Sequence, residues 1–254
     1  MNQPRILICC LLLCLLVPAV SFAQDPLPSV DELVQHFDQL YRSSSSYAKM
    51  RMQISTADYQ RELELELWTK GEDNALAVLR APAKEAGTAT LRSADGLWNY
   101  APKADRLMRI PSGMLSEGWM GSHFSNDDLM SESSWVEDYD TQLERVEEGG
   151  EGLIRMTATP KKDAAVVYTK VLHFVTAKDW IPVRSEYYDD DALVRTLSYT
   201  GVTDFGDRKL PAVLELVPAD KNNEYTRMEY TWLEFELEVD DALFTARGLR
   251  KVAK

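Results

Sequence analysis

Cysteine is nearly absent: Cys9, Cys10 and Cys14 are the only three, and all lie in one apolar run near the start of the chain. Without that run the protein would hold no disulfide and offer no thiolate. Histidine is scarce as well, limited to His36, His123 and His173; three scattered imidazoles without a cysteine do not make a zinc site. There is no G-x-S-x-G elbow, no glycine-rich phosphate cradle and no dinucleotide fingerprint, which removes familiar hydrolase and nucleotide-binding signatures. No Pro/Gly/Ser-rich linker divides the chain, and no motif recurs with a period of roughly 20–50 residues, so a propeller or solenoid is not expected. Positive charge is also short. Lys and Arg number 28 against 41 Asp and Glu, a net charge of −13, which argues against nucleic acid and against an anionic membrane surface as partner.

A long hydrophobic span is missing too. The run Ile6 to Val17 is twelve residues before Pro18, short of the ~20 that a membrane-spanning helix needs. With Arg5 ahead of it and Ser21-Phe22-Ala23 behind, it reads as a secretory signal peptide, residues 1–23, cut after Ala23. Lipidation at Cys14 is disfavoured, because Leu13 stands where a small residue is needed. Residues 24–254 then form a single expected domain with a net charge of −14, since cleavage removes Arg5 and no acid. Gln24 to Pro28 reads as a short arm.

What is present is alternation. Ser29 and Glu32 form a capping box, and Val30, Leu33, Val34, Phe37, Leu40 and Tyr41 follow at helical spacing, giving a helix over 29–42. The period then changes to two. Ala48, Met50, Met52 and Ile54 alternate with Lys49, Arg51 and Gln53, and Leu63, Leu65 and Leu67 with Glu62, Glu64 and Glu66, as half-buried strands do. Turn signals follow at short intervals, with Asp95-Gly96 the clearest hairpin. Later strands read near 143–148, 152–159, 167–176, 181–188, 192–201, 209–217 and 224–237. The expected total is eleven or twelve, mostly antiparallel, and a sheet of that width curls. The expected fold is mainly β: a strongly curved antiparallel sheet whose apolar concave face is covered by the helix near 29–42 and the segment around 111–138.

The stretch "EGWMGSHFSNDDL", residues 117–129, is the densest in chemistry. Ser125 as N-cap puts Asp128 at the third helical position, and Phe124 with Leu129 makes a hydrophobic staple. Asp127 and Asp128 then favour the positive end of a helix. Gly113, Gly118 and Gly121 are interspersed with Met114, Leu115, Trp119 and Met120, and Met130 and Trp135-Val136 continue an apolar face. Two readings follow: a lid over an apolar cavity, or a fixed plug on the sheet's open side. A hydrolase reading of Ser122, His123, Ser125, Asp127 and Asp128 lacks groups brought together across the fold and an oxyanion hole. His36 and His173 read as surface or satisfied structural residues.

Residues 87–129, "GTATLRSADGLWNYAPKADRLMRIPSGMLSEGWMGSHFSNDDL", resemble the signature of the outer-membrane lipoprotein-sorting proteins, a branch of the LolA-like and LolB-like periplasmic lipid carriers. "DDALFTARGL", 240–249, is similar too. The resemblance implies an unclosed β-barrel with helices in its mouth and an apolar interior that receives acyl chains of lipoproteins or other lipids. It implies a periplasmic protein without enzymatic chemistry or cofactor, working between an inner-membrane transporter and an outer-membrane acceptor. A lipid sensor or accessory subunit of an envelope transporter is the alternative on the same fold. His123 departs from the family, which more often has Asp there. No role is carried over from the resemblance for the cavity arginine that tethers the covering segment in better-known carriers, since Arg51, Arg80 and Arg109 all stay open for it. The candidate cavity and lid residues are Met50, Met52, Ile54, Leu63, Leu65, Leu67, Trp98, Tyr100, Trp119, Met120, Phe124 and Leu129, with no metal ligands among them.

Overall fold

Ser29 opens the first helix by reciprocal hydrogen bonds: its backbone N–H donates to Glu32 Oε2 at 2.8 Å, and the Glu32 N–H donates to Ser29 Oγ at 3.2 Å. Helix α1, Val30–Tyr41, turns Leu33 and Val34 inward. The chain then runs into β structure. In a computed structural model, which describes residues 26–41, 43–129, 138–162, 164 and 167–254, thirteen strands join one antiparallel sheet. The expected signal peptide lies outside the described residues.

The strands are β1 Ser45–Ser55, β2 Gln60–Lys70, β3 Asn74–Ala81, β4 Ala89–Ser93, β5 Gly96–Ala101, β6 Arg106–Arg109 and β7 Tyr139–Glu148. They continue with β8 Glu151–Pro160, β9 Lys170–Thr176, β10 Pro182–Asp189, β11 Ala192–Phe205, β12 Arg208–Pro218 and β13 Tyr225–Phe235. β4 and β5 pair from Ser93 opposite Gly96, so Ala94 and Asp95 make the turn and Gly96 follows at φ +119°. The tally exceeds the expected eleven or twelve. Four-residue β6, mostly exposed, carries little apolar alternation to announce it.

The spatial order is β6-β5-β4-β3-β2-β1-β13-β12-β11-β10-β9-β8-β7. Sheet neighbours are chain neighbours except where β1 meets β13. β6 and β7 therefore form opposite edges, although they are consecutive in sequence. Residues 110–138 must travel from one edge to the other. At ~4.8 Å per strand, the twelve steps across a flat sheet of this order would measure on the order of 58 Å.

Side chains sort cleanly between the two faces. Met50, Met52, Ile54, Leu63, Leu65, Ala77 and Leu79 share one cluster with Trp119 and Leu40. Leu76, Val78, Leu91 and Tyr100 point the other way and meet Val239, Phe244, Leu249 and Ala253. The outer face of this wing is thus covered by the last residues, a 3-10 turn over Asp241–Phe244 and helix α2, Ala246–Val252. Thr245 caps α2 by accepting from the Gly248 N–H at 3.1 Å. On the far wing, Leu33 and Val34 of α1 pack with Ile154, Met156 and Val175.

Candidate functional site

The inner face encloses a cavity of about 580 Å³, within the ordinary range for small-ligand sites. Leu97 on β5 and Met156 on β8 both line it. Those strands stand ten positions apart in the sheet order, so the sheet must wrap around to bring them to one space. Phe37 and Tyr41 of α1 reach in, and Tyr41 stacks on Tyr230 with ring centres 5.4 Å apart. Leu67, Leu197, Leu214, Leu216 and Met228 supply aliphatic wall. Among the described residues no helix is long and apolar enough to cross a membrane, and no group of His, Cys, Asp and Glu could hold a metal ion.

The crossing segment forms part of the lining and is fastened at several points. Gly118 bridges Ser125, and the Trp119 N–H donates to Phe124 O at 2.7 Å, closing a tight loop. Its tip needs left-handed backbone: Met120 has φ +54° and Gly121 φ +73°. Tyr59 and Arg61 donate to the Gly121 and Met120 carbonyls at 2.5 and 3.0 Å, and the Trp119 indole N–H donates to Thr90 Oγ1 at 3.0 Å. His123 holds the third side. Its Nδ1 lies 2.9 Å from Thr226 Oγ1 and its Nε2 3.0 Å from Glu224 Oε2.

Asp128 holds the fourth. The Ser125 N–H donates to Asp128 Oδ2 at 2.7 Å and the Asp128 N–H donates to Ser125 Oγ at 3.1 Å, the reciprocal pattern of a capping box. The same carboxylate accepts from Arg195 Nη1 and Nη2 at 2.8 and 2.5 Å. Arg195, on β11, is only 7% exposed, and its guanidinium lies beside the paired rings of Tyr168 and Tyr187, 4.8 and 4.3 Å from their centres. Burial alone lowers the Arg195 pKa, but hydrogen bonding to Asp128 outweighs it and keeps the group charged. Burial pushes the Tyr187 and Tyr199 hydroxyls up, so they stay protonated.

A family model described as "Uncharacterized protein" matches residues 71–251, most of the chain. The fold resembles a domain described as an outer membrane lipoprotein-sorting protein from Vibrio parahaemolyticus, at 23% identity and TM-score 0.73, covering 86% of this chain and 97% of that one. It also resembles a LolA superfamily protein from Nitrosomonas europaea, at 22% identity and TM-score 0.71, covering 86% and 98%. The chain belongs to the family of that model, and its fold is LolA-like. A DUF1329 family protein from Desulfovibrio piger shares the LolA-like fold at 24% identity and TM-score 0.76, covering 86% and 96%. No curated protein matches the chain.

In this chain six of the twelve candidates line the cavity: Met50, Leu65, Leu67, Trp119, Phe124 and Leu129. Met52, Ile54 and Leu63 lie behind that surface, buried in the adjoining core, and Met120 packs at its border. Trp98 and Tyr100 are corrected by the fold. The strand alternation of β5 sends them to the outer face, where they pack with the C-terminal residues, while Leu97 faces the cavity. Met130 and Trp135-Val136 lie outside the described residues.

The arginine question is also answered differently from expectation. Arg51 pairs with Glu62 and Glu229, Arg80 with Glu66 and the Val252 carbonyl, and Arg109 stands beside Gly96. Arg195 grips the crossing segment through Asp128, as Arg61 does through the Met120 carbonyl. A sequence signal for it exists: Arg195 interrupts the inward series with Leu197 and Tyr199, a charge where alternation calls for an apolar side chain. As for hydrolysis, both ring nitrogens of His123 are taken by Thr226 and Glu224, and Ser122 Oγ is 3.4 Å from the Phe124 carbonyl within its own loop. These groups are assembled to hold a loop.

Proposed function

We propose that this protein is a periplasmic carrier, not an enzyme, which takes acyl chains of lipoproteins or other lipids into its cavity and moves them toward the outer membrane. Residues 1–23 act as the cleaved signal peptide and 24–254 as one lipid-binding domain. The observation that carries the reading is the cavity itself: about 580 Å³, largely aliphatic and aromatic, and roofed by a segment that joins opposite edges of the sheet. The Vibrio domain's description as a lipoprotein-sorting protein supports the same direction.

The energetics suit such a task. Burial is worth ~0.8 kcal/mol per CH₂, so one sixteen-carbon chain represents on the order of 12 kcal/mol. A carrier recovers much of this and still releases cargo if an empty closed form competes with the loaded one. Met50, Met156 and Met228 on the wall are adaptable enough to accept chains of different shape. An inner-membrane transporter as donor and an outer-membrane protein as acceptor complete the proposed route.

The test is solvent extraction of protein purified from the periplasm, with mass spectrometry of the extract and titration with a fluorescent fatty acid. Co-purifying lipid and saturable binding are expected. A clean extract together with no binding would overturn the reading. Tight binding with no lipid transfer between vesicles would replace the carrier by a lipid sensor or transporter subunit.

A further inference from the structure

A second space adjoins the apolar one, and its chemistry is different. About 440 Å³ in volume, it is bordered by Ser116, His123, Asp189, Asp220 and Lys221, and it shares Val167, Tyr168, Arg195 and Leu216 with the main cavity. Those four side chains form the frontier between an apolar interior and a polar vestibule. Asp189, Asp220 and Lys221 are exposed, so the vestibule opens to water.

At this frontier sits an unmet donor. Both Nη atoms of Arg195 are engaged by Asp128, but its Nε–H has no hydrogen-bond partner among the described residues, and the atom is buried. An unpaired donor there keeps its desolvation penalty uncompensated, and a ligand acceptor would remove it. In an acyl amphiphile, the group between chain and head is an ester or amide carbonyl, a neutral acceptor. Neutrality matters, because Asp128 already balances the Arg195 charge.

The geometry points to a headgroup subsite. Resting on the carrier reading above, we infer that the protein takes a glycerophospholipid with its acyl chains in the apolar cavity. An ester carbonyl accepts from Arg195 Nε–H, and a zwitterionic amine-bearing head occupies the vestibule. The charges select the head. Lys221 faces a phosphate, and Asp189 and Asp220 face an ammonium, whereas a head with only negative charge meets two carboxylates and one lysine already 3.7 Å from Glu224.

The experiment is calorimetric titration of the full chain with dioctanoyl phosphatidylethanolamine, its ether-linked analogue and dioctanoyl phosphatidylglycerol, below their micelle concentrations, alongside the fluorescent fatty acid. The ester-linked ethanolamine lipid is expected to bind at least fivefold tighter than the ether analogue and than the glycerol lipid. Ser116→Trp, which fills the vestibule from an exposed position outside the apolar cavity, is expected to weaken the ethanolamine lipid tenfold and the fatty acid less than twofold. Lys221→Glu should weaken the ethanolamine lipid at least threefold. Equal affinity for ester and ether lipids overturns the Arg195 contact; equal affinity for the two heads overturns the zwitterion. An unchanged phospholipid affinity in Ser116→Trp overturns the subsite while leaving the carrier reading standing. So does a triacylated lipopeptide that binds both proteins equally when neither phospholipid binds. Failure of the fatty acid itself to bind the unaltered protein overturns the carrier reading beneath it.

Discussion

Arg195 and Asp128 face each other in a two-pronged ion pair, 2.8 and 2.5 Å long, that ties β11 to the segment crossing the mouth of the sheet. The pair does two jobs at once, because Asp128 also closes the capping box with Ser125. Its removal thus loosens the loop's internal geometry and its attachment together. The tie is one of four: Tyr59 and Arg61, Thr90, and Thr226 with Glu224 hold the other sides. Residues 117–129 are more firmly held than their glycines suggest.

Breaking that pair on one side should cost more than removing it altogether. Asp128→Asn leaves a buried guanidinium without its counter-charge and is expected to destabilise by about 3 kcal/mol. Combining Asp128→Leu with Arg195→Met removes both charges and should recover most of that loss. Urea unfolding monitored by circular dichroism reads both numbers; a double variant as unstable as Asp128→Asn would show that the capping box outweighs the charge.

His173 makes stability depend on acid. It lines the cavity, with Nδ1 2.6 Å from Ser185 Oγ, and burial lowers its pKa from 6.5 to about 4. Between those values the unfolded chain binds a proton that the folded chain refuses, so stability is full above pH 6.5 and falls as pH drops toward 4. The contribution is about 3 kcal/mol, the free-energy equivalent of that displacement for a buried ring. His173→Phe should flatten the unfolding free energy across this window by that amount, relative to the parent chain; parallel pH profiles would count against it.

Much of this was written in local pattern. Ser29 with Glu32 and Ser125 with Asp128 announced both capping boxes, and the Leu63, Leu65 and Leu67 alternation placed its residues on one face. Those signals act over a few residues, where spacing fixes geometry. Trp98 and Tyr100 went astray because alternation says that two residues share a face but not which face is inner. That decision belongs to Leu249 and Phe244, more than a hundred residues later, which supply the outer cover. Arg195 was missed for a similar reason. Its partner is 67 positions away, joined to it only by a crossing that the strand order dictates.

The C-terminal cover is packed tightly enough to be tested at one atom. A Cβ added at Gly248 would stand 1.9 Å from the Ala242 carbonyl oxygen, deep inside contact distance and against backbone rather than a flexible side chain. Gly248→Ala must push α2 away from the 3-10 turn before it, and overpacking of this kind costs about 1–3 kcal/mol. Lower melting temperature and faster amide exchange in Leu76, Val78 and Leu91, which lie beneath the cover, are expected. Unchanged exchange there would mean that the outer face does not depend on this helix.

Trp119 offers the most direct view of the cavity from within. It is 4% exposed, lines the apolar space and donates its indole N–H to Thr90 Oγ1. With Trp68, Trp98, Trp135, Trp180 and Trp232 replaced by phenylalanine, its emission should report a buried, hydrogen-bonded indole. Added fatty acid should then change that emission saturably, because a chain in the cavity must either contact the ring or displace it. Thr90→Val removes the acceptor and leaves a buried donor unpaired, at a cost of about 1–3 kcal/mol. If the crossing segment opens to admit ligand, the open form already lacks this hydrogen bond, so the substitution penalises the closed state and should tighten fatty-acid binding. If the segment is a fixed plug, the substitution lowers stability without raising affinity. Emission that stays flat while calorimetry records binding would place the chain away from Trp119 and remove the crossing loop from the site.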